Sequence, residues 1–363
     1  MKNALSENLL KAILDDQVST FSDLLAQFES VDVSIDFGKA LVPEILLGNP
    51  PIISIASFFG SKMCVEHLIA RQACLSLTDD MFKRAPMHYA FAGGCLDIVR
   101  TFDSCNMPLD VMDVNGLLPL HYACEFGHLD IVRYYFSKGF SLESTNKLQI
   151  NPILVAAKSG KSNIIDFLAK KGLNIQACDH QGHNALHYAA YGGYPCTIRF
   201  LISMGIDPNR IGFQNETPLI IACENGHLEV AKALCENGSK FKLNKRKTVP
   251  IVSAARYGHL DIVKFFLSLG VCINSITSAG ETPLISAYVN NQKSMVMYLL
   301  NNGASVFMSN NVLFLALDNL DLEFFKIFVH NMSPDTNIFG KLLLKIGDGL
   351  EEYKKIVELK VII

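Results

Sequence analysis

The sequence predicts an all-α fold, an α-solenoid of stacked helix-turn-helix units joined by β-hairpin-like loops, with helical caps at both ends. Three observations predict it. A segment of about 33 residues recurs along most of the chain. Most copies open with a proline and place a glycine about eight residues later. After that glycine, apolar residues recur at helical spacing. A period of this length marks a repeat array, in which no single unit buries its own apolar faces and neighbours must stack.

At the N-terminus, residues 4–30 read as two amphipathic helices, Leu5–Leu14 and about Thr20–Phe28, which cap the first repeat. The repeats begin near Pro51, Ala85, Leu118, Asn151, Asn184, Thr217, Val249, Thr282 and Asn311, at offsets of 34, 33, 33, 33, 33, 32, 33 and 29. The first helix of a unit starts at a proline such as Pro119 or Pro218, where the missing N–H has no helical partner to lose. It ends at a glycine such as Gly127 or Gly226. The second helix carries stripes such as Leu129, Ile131, Val132, Tyr135, Phe136 and stops at another glycine, Gly139 in that unit. Asn106 takes this slot in repeat two, since Asn is the next best left-handed residue. Repeat nine is degraded, with Leu320 and Met332 in place of its two glycines. Lys341–Ile346 and Leu350–Val361 then read as a closing helical pair. The expected organisation is a cap over 1–47, the array over 48–330 and a cap over 331–363.

Thr217-Pro-Leu-Ile-Ile-Ala222 followed by Gly226-His-Leu-Glu-Val230, with its sister segments, resembles the ankyrin repeat, whose signature is T-P-L-H-x-A in a 33-residue unit. The resemblance covers about 280 of 363 residues and suggests an ankyrin-only architecture. It implies a hydrogen bond between the motif's Thr hydroxyl and His ring. Here Thr stands only at Thr217 and Thr282, beside Ile220 and Ile285, whereas His88, His121 and His187 follow Ala85, Leu118 and Asn184. Helix starts six and eight are therefore expected to be better capped than starts two and three, a good cap contributing about 0.5–2 kcal/mol.

Composition narrows function. A net charge of −3 argues against a general nucleic-acid binder, which needs a basic face. Apolar stretches such as Pro51–Gly60 fall far short of a membrane span. The ten cysteines include no CxxC or paired framework, and several stand where sister segments carry Ala or another small apolar residue and so read as buried fillers. A reducing compartment is expected, the cytoplasm first and the nucleus as an alternative. Ser159-Gly-Lys-Ser162 lacks the upstream glycine of a phosphate loop, Val155 standing there. Cys178-Asp-His180-Gln-Gly-His183, with His187 four residues on, is the nearest approach to a metal set, yet Cys178 enters the core and His187 lies inside a helix, so the groups diverge. No catalytic motif, cofactor or metal is expected, and no small-molecule substrate.

The resemblance implies a protein partner bound on a concave face made of hairpin tips and the exposed side of the first helices. Carried over by position, the candidate contact residues are Phe82, Arg84, Leu117, His180, His183, Phe213, Lys245 and Arg246 on hairpins. Phe126, Tyr191, Arg256 and Tyr257 are their counterparts on first helices. Aromatics and arginine dominate interface energetics, which favours this set. The expected function is a monomeric, non-enzymatic adaptor or scaffold. The alternative is a substrate-recognition or inhibitory subunit of an enzyme complex.

Overall fold

A computed structural model describes residues 2–34, 43–241, 250–307, 312–331, 342–343, 345–346 and 350–362. They divide into two compact bodies, residues 1–206 and 207–363. Lys245 and Arg246, with the helix-start positions Val249 and Asn311 and the glycine-replacing Met332, lie outside the described residues.

The first body opens with helices Lys2–Leu14 and Val18–Leu25. Leu9, Ile13, Phe21 and Leu25 are buried, so the predicted amphipathic pair does turn an apolar face inward. It is also tied by polar groups. Asp16 accepts from the Met63 and Cys64 N–H groups at 3.1 and 3.0 Å, satisfying donors at the start of Lys62–Ala70 that have no helical acceptor.

Five helix pairs follow. The first helices are Ile52–Phe58, Pro86–Gly93, Pro119–Phe126, Pro152–Lys158 and Ala185–Gly192. Their partners are Lys62–Ala70, Leu96–Ser104, Leu129–Ser137, Ser162–Lys170 and Pro195–Ser203. The second helices bury one stripe each, for example Ile131, Val132 and Tyr135, or Ile164, Ile165 and Leu168. Full burial of such a side chain stabilises by roughly 1.5–3 kcal/mol. First helices are buried almost throughout, Pro86 to Ala92 in repeat two, because they pack between neighbouring first helices. That packing explains two glycines outside the turn pattern. A Cβ on Gly93 would lie 2.2 Å from the Phe58 carbonyl oxygen, and one on Gly192 would lie 2.0 Å from that of Lys158. At both places backbone rests directly on backbone.

The second body holds Pro218–Glu224 with Leu228–Glu236, Pro250–Arg256 with Leu260–Ser268, Pro283–Val289 with Lys293–Asn301, and Val312–Asp318 with Leu322–His330. Helix Glu351–Ile362 closes it, with Tyr353 and Phe325 ring centroids 4.9 Å apart. Gly127 shows the turn that ends most first helices, at φ 100°. Leu320 adopts the same left-handed region at φ 54°, at a cost of about 1–2 kcal/mol for a residue with a Cβ.

The helix starts follow the capping expectation and add to it. Thr217 and Thr282 hydroxyls accept from Ile220 and Ile285 N–H at 3.3 and 3.2 Å. Asn151 and Asn184 also cap, accepting from Leu154 and His187 N–H, so repeat five joins an amide cap to a motif histidine. Ala85 and Leu118 have no side-chain acceptor. There the His88 and His121 Nδ1 atoms instead accept from the Ala85 and Leu118 N–H at 3.0 and 3.1 Å. Each ring's Nε2 then donates to the next hairpin, to the Leu117 and Ile150 carbonyls.

Among the described residues the loops form no strands beyond an isolated bridge between Ser34 and Pro51. They are closed turns, Asp113 N–H to Leu117 carbonyl at 3.0 Å and Asp179 N–H to His183 carbonyl at 3.0 Å. The cysteines are all free. Cys64, Cys124 and Cys223 are buried fillers, whereas Cys105, Cys196 and Cys272 are exposed.

Candidate binding face

Each hairpin of the first body is organised by one buried side chain. Asp113 Oδ1 accepts from the Asn115 and Leu117 N–H groups, both at 2.8 Å, and Asp179 Oδ1 does the same for Gln181 and His183. The second oxygen takes a phenol from the following helix, Tyr122 at 2.8 Å and Tyr188 at 2.9 Å. Asp79 and Tyr89 repeat the pair at 3.0 Å. Burial first, then the carboxylate charge, pushes Tyr122 and Tyr188 well above the usual phenol range, so both remain donors. Sequence reasoning missed this device, although Asp113…Tyr122 and Asp179…Tyr188 share a spacing of nine. It locks hairpin tip to first helix, making the two a single surface.

On that surface the predicted residues separate. Phe126, Tyr191, Phe213 and Tyr257 are exposed by 37, 54, 53 and 49%, the apolar side chains a partner could cover. Phe126 meets Phe58 edge-to-face with centroids 6.0 Å apart, and the Lys158 ammonium lies 5.5 Å from the Tyr191 ring centre. Leu117 and Phe82 are half-buried. His180 is exposed and its Nδ1 lies 3.2 Å from the Leu148 carbonyl, whereas His183 is half-buried with its ring 5.1 Å from that of His187. Arg256 pairs with Glu281 at 2.7 Å, both side chains about one-third exposed, a geometry that contributes little.

Arg84 must be corrected. It is 4% exposed, bonded through Nε to Asp79 at 2.8 Å and through Nη2 to the Leu47 carbonyl at 2.9 Å. Its guanidinium lies over the Phe82 ring at 4.6 Å. Burial opposes the Asp79 charge, but the Phe82 N–H and Arg84 hold its carboxyl below the usual range. Arg84 is thus an internal counter-ion of its hairpin and leaves the contact set.

Each body carries a pocket of about 130 Å³ beside its first helices. In the second body Glu216, Glu224, Ser253 and Arg256 line one. Burial, then the Glu216 charge, raises the Glu224 carboxyl, which accepts from the Ser253 hydroxyl at 3.2 Å. In the first body the other is lined by Tyr122, Asn146, Val155 and Tyr188, with Glu125 and Lys158 also on its wall. Among the described residues no three His, Cys, Asp or Glu side chains converge as a metal site. No described helix is long and apolar enough to cross a membrane.

Comparison with known proteins bears on the repeat as a whole. A family model described as "Ankyrin repeats (3 copies)" matches residues 53–146, 134–212, 210–277 and 254–339, well over half of the chain. The chain belongs to the ankyrin-repeat family. The human ASB11 ankyrin repeat domain has a similar fold, with TM-score 0.51 at 21% identity, covering 60% of this chain and 98% of that one. Human "Ankyrin repeat and KH domain-containing protein 1" is 36% identical over 69 residues, 19% of this chain and 3% of that protein. The mouse serine/threonine-protein kinase TNNI3K is 35% identical over 104 residues, 27% of this chain and 12% of the kinase. The ankyrin chain described here therefore spans a small fraction of either curated relative. Ankyrin repeats in general mediate protein–protein interaction and are typically non-enzymatic.

Proposed function

We propose that this ankyrin chain is a non-enzymatic adaptor or scaffold that binds a protein partner on the face formed by hairpin tips and first helices. The repeats would span 48–330 between helical caps, and the chain would act as a monomer in the cytoplasm or nucleus. The carrying observation is that in the first body this face holds Phe126 and Tyr191 open to solvent while its backbone is locked by buried Asp–Tyr pairs; in the second body Phe213 and Tyr257 are likewise exposed. A rigid surface with exposed aromatic anchors loses little conformational entropy on binding. Large aromatic side chains are also the residues whose truncation most weakens interfaces.

Affinity purification with cross-linking, using the full chain as bait, identifies the partner. Replacing Phe126, Tyr191 and Tyr257 together by alanine is expected to reduce capture of that partner at least tenfold, leaving the melting temperature within a few degrees. Capture that survives the triple substitution would remove this face from consideration.

A further inference from the structure

Repeat four departs from its neighbours at two positions that touch each other in the sister repeats. Where repeats three and five have Asp113 with Tyr122 and Asp179 with Tyr188, repeat four has Asn146 and Val155. Asn146 retains half of the aspartate's work. Its Oδ1 accepts from the Leu148 and Ile150 N–H groups, both at 2.9 Å, which identifies the remaining side-chain atom as the amide nitrogen. That Nδ2 makes no hydrogen bond among the described residues and is not one of the fully buried atoms, so it faces the water of the pocket. In the sister repeats the corresponding oxygen accepts a phenol hydroxyl. Valine supplies neither ring nor hydroxyl, and the volume it leaves belongs to the 130 Å³ pocket between repeats three, four and five.

We propose that this slot receives a tyrosine side chain from the protein partner, its ring against Tyr122 and Tyr188 and its hydroxyl oxygen accepting from the Asn146 amide. The size is right, since a cavity of roughly 150 Å³ holds a single benzene ring. The walls are right as well: both flanking phenols spend their hydroxyls on Asp113 and Asp179, so their rings remain as aromatic wall. The amide then selects the occupant. A bare ring covering this donor would strip its water and return no acceptor, which is costly, so a ring carrying an oxygen is preferred. Glu125 and Lys158 on the same wall carry opposite charges, so the pocket does not call for a charged occupant. The partner would thus complete, in trans, the contact that repeat four lacks. The inference rests on the reading that this face is the binding face.

The free side chain provides the probe. Saturation-transfer NMR on the full chain with p-cresol should give binding, weakened roughly 3- to 10-fold for toluene, which lacks the hydroxyl. Asn146→Asp with Val155→Tyr rebuilds the sister pair inside the chain. It should keep or raise the melting temperature and abolish cresol binding. Val155→Phe fills the slot without the pair and should also abolish binding, so the test survives if the double variant does not fold. No cresol binding to the wild-type chain, equal binding of toluene, tighter binding of acetate, or cresol binding unchanged in both filled variants would each overturn the assignment. Partner capture separates the two readings. Cresol binding with capture untouched by the triple alanine substitution keeps the slot and removes the wider face. Capture lost on that substitution with no cresol binding keeps the face and removes the slot.

Discussion

His121 illustrates how much a single side chain does in a repeat without a capping residue. Its Nδ1 must accept from the Leu118 N–H while Nε2 faces the Ile150 carbonyl, so the ring has to be neutral. Burial lowers it to about 4, and burial lowers His88 as well. An unfolded imidazole titrates near 6.5. Between about pH 6.5 and pH 4 the unfolded chain takes up protons that the folded chain refuses, so stability falls as pH falls. Above pH 6.5 this contribution is flat. The slope approaches about 1.4 kcal/mol per pH unit for one such group. The urea midpoint is therefore expected to drop between pH 7 and pH 5, and His121→Gln, which keeps an acceptor for the N-cap N–H, should flatten that drop. An identical slope in the variant would exclude His121 as a cause. At this scale the sequence was only partly legible. The motif histidines were visible, but Arg84 looked like a surface residue because its burial depends on Asp79, Leu47 and Phe82 meeting around it. No spacing rule brings Leu47 there.

Among the elements, first-helix starts differ in what closes them. Thr217 and Thr282 cap through side-chain oxygens, as do Asn151 and Asn184, whereas Ala85 and Leu118 rely on the following histidine alone. Amide hydrogen exchange is expected to be slower at Ile220 and Ile285, which donate to a capping hydroxyl, than at His88 and His121, which donate only to the Ala85 and Leu118 carbonyls in the first, easily frayed turn. Alanine at Thr217 or Thr282 should cost about 0.5–2 kcal/mol and erase the difference. Equal protection at all four sites in the wild-type chain would refute it. Helices were readable because periodicity, proline and glycine agree over many copies. The hairpins were less so. Their order comes from a buried aspartate and a tyrosine nine residues on, a polar pair that hydrophobic patterning does not register. The slot in repeat four escaped for the same reason, being the absence of a pair that had not been recognised.

At the level of the whole molecule, a repeat array exposes an apolar face at each end unless another element covers it. At the end of the second body, Tyr353 packs on Phe325, which is fully buried, and Val357 of the same helix is buried as well. Ending the chain at residue 349 is expected to lower the melting temperature of that body and to promote self-association in light scattering, since an uncapped repeat face is sticky. An unchanged melting temperature with no added scattering would show that the closing helix contributes nothing. Repeat arrays are usually described by intrinsic and nearest-neighbour energies. In the first body that description is incomplete. Gly93 in repeat two lies against the backbone of Phe58 in repeat one, whose ring reaches the Phe126 ring of repeat three. Repeats one and three are therefore energetically coupled over the top of repeat two, so that a substitution in the middle unit changes a contact to which it does not belong.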